Sequence, residues 1–160
     1  GKGHHDALRH AGGARRIDDV ERPVGPDVDG PRDRAFGREH GYVVTIFGRK
    51  VWLPQIKSPN GAERSFGERQ AINAPLQGSA ADIIKRAMIR MPKALKDAGL
   101  EAKMLLQVHD ELVFECPEKQ AKKLAEVAAK TMAAAPSPVV QLNVPLVVEA
   151  NFAKSWAEAH

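Results

Sequence analysis

The chain has 160 residues, a length that holds one domain or a piece of a larger one. It is 43% hydrophobic and 28% charged, and no apolar run approaches the roughly 18 residues of a membrane helix, so a membrane span is excluded and a globular chain expected. A single cysteine, Cys116, and no signal-like apolar stretch in residues 1–40 point to a reducing, cytoplasmic home, while a formal charge of +4 and a pI near 9.3 permit a phosphate-rich partner without requiring one.

Residues 1–35 contain no Ser, Thr, Asn, Gln, Phe, Tyr, Trp or Met and show neither helical nor strand periodicity. Such a segment buries little apolar surface, so residues 1–40 are expected to form an irregular leader. Nearly all residues 1–35 have codons beginning with G or C, the signature of a GC-rich gene read out of frame, with a natural disordered leader as the alternative. His4, His5, Asp6 and His10 could be drawn as metal ligands, and Asp27, Asp29 and Gly30 faintly echo a calcium loop. The remaining loop ligands are missing, and a solvated tail accounts for the same residues.

From Gly41 the texture changes. Tyr42–Ile46 and Val51–Leu53 are β-rich runs on either side of a glycine turn, which predicts a hairpin. Glu63 to Ile72 reads as a short helix, and Pro75 is expected to interrupt it before a longer helix that runs to about Asp97 and stops at Gly99. Leu76, Ala80, Ile83, Ile84, Ala87, Met88 and Met91 recur at three and four residues and predict a buried stripe. Two short apolar strands, Ala102–Val108 and Glu111–Cys116, follow with His109 and Asp110 between them, then a helix from Pro117 to about Ala134. Val144–Ala150 predicts a last strand, and Trp156 a packing anchor in the tail. The order is that of an α+β fold, an antiparallel sheet covered on one face by helices.

Two stretches carry chemistry. Asp110 and Glu111 are adjacent carboxylates at the apex of a hairpin between apolar strands, where charge belongs only if exposed or used. Hard oxygen ligands on a rigid turn suit Mg²⁺ in phosphoryl transfer, and an ordinary acidic turn has the same signature. Arg69, Asn73 and Gln77 recur every four residues and share one helical face if Pro75 only kinks the run. These donors can reach the minor-groove acceptors common to all correctly formed base pairs; a merely polar helix face is the alternative.

In this order the motifs resemble family A DNA polymerases from Gly41 to His160. The family's Gly-Tyr-x-x-Thr-x-x-Gly-Arg-Arg pattern stands as Gly41 through Lys50, with lysine in the last place. Its Arg-x-x-x-Asn-x-Pro-x-Gln-Gly-x-Ala-Ala-Asp pattern runs from Arg69 to Asp82, and its Val-His-Asp-Glu motif is Val108 to Glu111. Val144–Glu149 with Trp156 and a terminal His160 also looks like that family's ending. The resemblance implies an antiparallel palm sheet with packed helices over residues 41–160, as part of an incomplete polymerase domain. It implies DNA-directed DNA synthesis, the transfer of nucleotides from dNTPs to a primer 3′ end in replication and repair. Asp110 and Glu111 would hold Mg²⁺, His109 would lie close to the primer end, and Arg69, Asn73 and Gln77 would contact the primer–template minor groove. Arg49 and Lys50 would lie near the DNA backbone.

The same resemblance exposes what is missing. The family's second metal-binding aspartate, in a strand reading like Asp-Tyr-Ser-Gln-Ile-Glu, and its triphosphate-binding fingers helix do not occur in the sequence. Half of a two-metal site is therefore expected, in a truncated or frame-disrupted product inactive by itself and monomeric. A duplex-binding module without catalysis and a non-functional gene fragment are the alternatives.

Overall fold

A computed structural model describes residues 11–14, 30–155 and 158. His4, His5, Asp6, His10, Asp27, Asp29, Trp156 and His160 lie outside the described residues. Two compact units divide the chain. One comprises Gly1–Asp19, Ile83–Pro136 and Pro145–His160, the other Val20–Asp82 and Ser137–Val144.

In the second of these units, α1 (Gly30–His40) leads into the hairpin of β2 (Tyr42–Val44) and β3 (Lys50–Trp52), a 3₁₀ turn over Pro54–Lys57 and the first part of α2. Residues 1–40 were expected to be irregular throughout, and α1 is regular. Its sequence shows no apolar stripe because it packs through Gly37, where an added Cβ would lie 2.9 Å from Ile56 Cδ1 and 3.2 Å from Leu53 Cδ1. Asp33 in the first turn and Arg38 and His40 in the last suit the helix dipole. The core of this unit is Val43, Leu53, Ile56, Ala71 and Ala74.

The helix α2 is one continuous element, Gly61–Asp97, of 37 residues. The expected break at Pro75 does not occur. Proline removes one helical donor, but Pro75 is fully buried, and packing offsets the lost bond. Both ends are capped as the residue types dictate. Asn60 Oδ1 accepts the N–H of Ala62 at 2.9 Å, and Leu100 donates its N–H to Leu95 O at 3.0 Å around Gly99, whose φ is 65°.

The other unit is built on a four-stranded antiparallel sheet in the order β4–β5–β1–β6, of β4 (Lys103–Val108), β5 (Glu111–Glu115), β1 (Ala11–Ala14) and β6 (Val148–Ala150). The strand β1 is a second regular element inside the expected irregular leader. The last strand is shorter than the predicted Val144–Ala150, since Pro145 has no donor for a ladder. The predicted helix after Pro117 begins as a 3₁₀ turn, Glu118–Gln120, and becomes α3 over Ala121–Ala133. Leu112, Phe114 and Cys116 of β5 and its exit pack with Leu124, Ala128 and Met132 of α3 and with Ile84, Ala87, Met91 and Leu95 of α2. Of the predicted stripe, Ile84, Ala87 and Met91 are core, Ile83 and Met88 pack on it partly buried, and Leu76 and Ala80 are half-buried. Burial raises the pKa of the Cys116 thiol above its ordinary value.

Candidate functional site

The carboxylate turn follows from the register of β4 and β5. Val108 pairs with Glu111, leaving His109 and Asp110 as a two-residue loop. The apex expected for both acids therefore belongs to Asp110, with Glu111 one step inside β5. His109 has φ 52°, the left-handed region that a residue with a Cβ enters at a cost of about 1–2 kcal/mol. Gln107 Nε2 donates to His109 O at 2.7 Å and braces that conformation. The register also shifts between Met104 and Leu106, which pair with Phe114 and Val113. Leu105 is thus the extra residue of a β-bulge two positions before Gln107, a device that re-aims the side chains beyond it. His109 is exposed, and Asp110 and Glu111 are half-buried.

Two adjacent carboxylates are hard oxygen donors of the kind Mg²⁺ takes. Among the described residues no group of three or more His, Cys, Asp or Glu side chains converges. The chemistry of these two donors fits Mg²⁺.

Arg69, Asn73 and Gln77 all lie on the continuous helix α2 and are all exposed. At 3.6 residues per turn each step of four turns the helix by about 40°, so the three side chains form a slowly winding row on one face. Among the described residues none of the three has a side-chain hydrogen bond to another group. The donors are presented rather than consumed. The row and the carboxylate turn lie in different units.

Arg49 and Lys50 are both engaged. Lys50 Nζ sits over the Tyr42 ring at 4.3 Å from its centroid. Arg49 donates from Nε to Asp82 Oδ1 at 2.8 Å and from Nη2 to Gly78 O at 3.0 Å. Sequence reasoning assigned no role to Asp82 or Ser79. Ser79 Oγ accepts the Ile46 N–H at 3.0 Å and donates to Pro75 O. The loop and α2 meet closely here, for a Cβ on Gly78 would lie 2.7 Å from Thr45 Cγ2. The opposite charges of Arg49 and Asp82 are visible in the sequence, but 33 residues separate them and no local pattern links them.

A sequence profile for DNA polymerase family A matches residues 32–158. DNA polymerase I of Rhizobium leguminosarum is 50% identical over 129 residues, which are 79% of this chain and 13% of that protein. DNA polymerase I of Pseudomonas aeruginosa is also 50% identical over 129 residues, 81% of this chain and 14% of that protein. A solved structure, the POL domain of Pol1 from M. smegmatis in complex with DNA primer-template and dNTP, superposes with a TM-score of 0.74 at 44% identity, over 81% of this chain and 22% of that one. The chain thus spans about 13–14% of the length of these curated relatives. With the motifs in place and the profile covering most of the sequence, the chain belongs to DNA polymerase family A.

Proposed function

We propose that these residues are the C-terminal part of the palm of a DNA-directed DNA polymerase, with Arg69, Asn73 and Gln77 on the minor groove of primer–template DNA. The observation that carries the reading is the continuity of α2 through Pro75, which puts the three donors on one exposed face. Minor-groove acceptors are shared by all base pairs, so such a row tests pair shape without reading sequence. In the intact enzyme His109 would adjoin the primer 3′ end, and Asp110 and Glu111 would hold Mg²⁺, which neutralises charge developing on phosphoryl oxygens. The substrates would be dNTPs, the roles replication and repair, and the protein a cytoplasmic monomer, as that activity implies.

For these 160 residues by themselves we place duplex binding before catalysis. Asp110 and Glu111 are one source of carboxylate, whereas two-metal phosphoryl transfer calls for ligands on both sides of the metal pair. Titration of the purified chain with labelled primer–template duplexes of several sequences tests both statements. Binding should be equal across sequences and fall steeply with added salt. Gln77→Ala should weaken it by roughly tenfold on every duplex, the scale of one lost minor-groove hydrogen-bond donor. A strongly sequence-selective loss would contradict the minor-groove role. Primer extension by the chain with Mg²⁺, abolished by Asp110→Ala, would contradict the order of binding before catalysis.

A further inference from the structure

We propose that Arg49 and Asp82 form a latch that positions the Gln77 end of the polar row, so that Arg49 serves DNA binding through α2 rather than by touching phosphate. This rests on the duplex-binding reading. The Arg49 guanidinium bridges two acceptors on α2, Asp82 Oδ1 and the carbonyl of Gly78, the residue after Gln77. Ser79 holds the next position by accepting the Ile46 N–H, and Gly78 leaves no room for a Cβ between α2 and the hairpin loop. Gln77 is therefore followed by two residues tied to the β2–β3 loop. Asp82 is only 12% exposed, and its Oδ2 is buried with no partner among the described residues. A carboxylate so placed does not face solvent cations and depends on Arg49 to balance its charge.

The two roles for Arg49 predict opposite signs for Asp82. Asp82→Asn removes a negative charge from a chain of formal charge +4, so if Arg49 contacts phosphate directly, the substitution should leave duplex binding unchanged or tighten it. With the latch, Asp82→Asn should weaken binding about tenfold, as should Arg49→Gln, and the double variant should be no weaker than either single one. Gln77→Ala should then cost little more in the Asp82→Asn background, because the group it removes is already misplaced. The salt dependence should keep its slope. Measurements use anisotropy of a labelled primer–template duplex with the full 160-residue chain, with far-UV circular dichroism to establish that each variant is folded. If Asp82→Asn does not fold, Arg49→Lys decides. Lysine keeps the charge but lacks the planar fork that reaches both acceptors, and should lose binding like Arg49→Gln. An Asp82→Asn or Arg49→Lys chain that binds as tightly as the parent overturns the latch, all the more if Arg49→Gln lowers the salt slope by about one. A parent chain that does not bind duplex at all overturns the duplex-binding reading, and the latch's purpose with it.

Discussion

The two hairpins solve the same backbone problem in different ways. The β2–β3 loop closes with the Gly48 N–H on Thr45 O at 2.8 Å, and the residue that takes positive φ, at 80°, is a glycine with nothing near the place of its missing Cβ. The β4–β5 loop is tighter and puts a histidine at φ 52°. Glycine would enter that conformation without steric cost. The first loop is shaped for support, holding α2 through Arg49, Thr45 and Ile46. The second keeps a side chain at a position where the backbone alone would favour glycine. Their anchoring differs as well. The first hairpin adds polar clamps on α2 to a small apolar core that it enters through Val43, while the second rests on Leu112 and Phe114, both fully buried in a larger apolar core.

Phe114→Ala attacks that second anchor and should have the largest effect. A fully buried phenylalanine that touches α2 and α3 residues leaves a cavity that its neighbours only partly fill, a loss of about 3–5 kcal/mol. In urea titrations the midpoint should fall far enough that the β4–β5 unit is partly unfolded at room temperature. A shift within the range of surface substitutions would mean that the hairpin is not held by this core.

Reciprocal substitutions at the two left-handed positions should have the next largest effects, of opposite sign. Gly48→Ala brings a Cβ into a conformation that disfavours it, and should cost about 1–2 kcal/mol in thermal unfolding. His109→Gly removes that penalty, although glycine's greater freedom in the unfolded chain takes back up to about 1 kcal/mol. The expected outcome is a chain no less stable than the parent. A clear destabilisation by His109→Gly would show that the imidazole contributes packing that outweighs its strained backbone.

Much of this was readable in the sequence, in proportion to how local the physics is. The β4–β5 turn, the Gly99 stop and the buried positions Ile84, Ala87 and Met91 follow from apolar periodicity and turn chemistry, all within a few residues. The break expected at Pro75 came from a local rule that tertiary packing overrides, since the proline ring is buried and α2 continues. The bulge at Leu105 left no trace, because it arises from how β4 registers against β5. Arg69, Asn73 and Gln77 could be named from spacing, but their sharing of a face depended on that same continuity. The Arg49–Asp82 pair was invisible for the opposite reason, as its partners meet only in the folded unit.

The smallest expected effect concerns the polar clamps of the first hairpin's unit. Arg38 donates from both Nε and Nη2 to Glu68 Oε1, joining α1 to α2. Hydrogen bonding from Arg38 holds the Glu68 carboxyl below its ordinary value of 4.5, helped by the charges of Arg38, Arg34 and Arg64 and opposed by desolvation. A carboxyl whose folded pKa is depressed contributes its full stabilisation above the unfolded value and loses it as pH falls through the folded one. The clamp should therefore be intact at neutral pH, begin to fade near 4.5 and vanish below that. Such a solvated pair contributes little and is screened by salt, so the test must be differential. The melting temperature of the parent should exceed that of Glu68→Gln by a small, constant amount at neutral pH in low salt. The gap should close on acidification and shrink with added salt at neutral pH. A gap that survives to the acid end of the titration would mean that Glu68 joins the helices by shape and not by charge. Charge clamping in this unit would then rest on the Arg49–Asp82 pair.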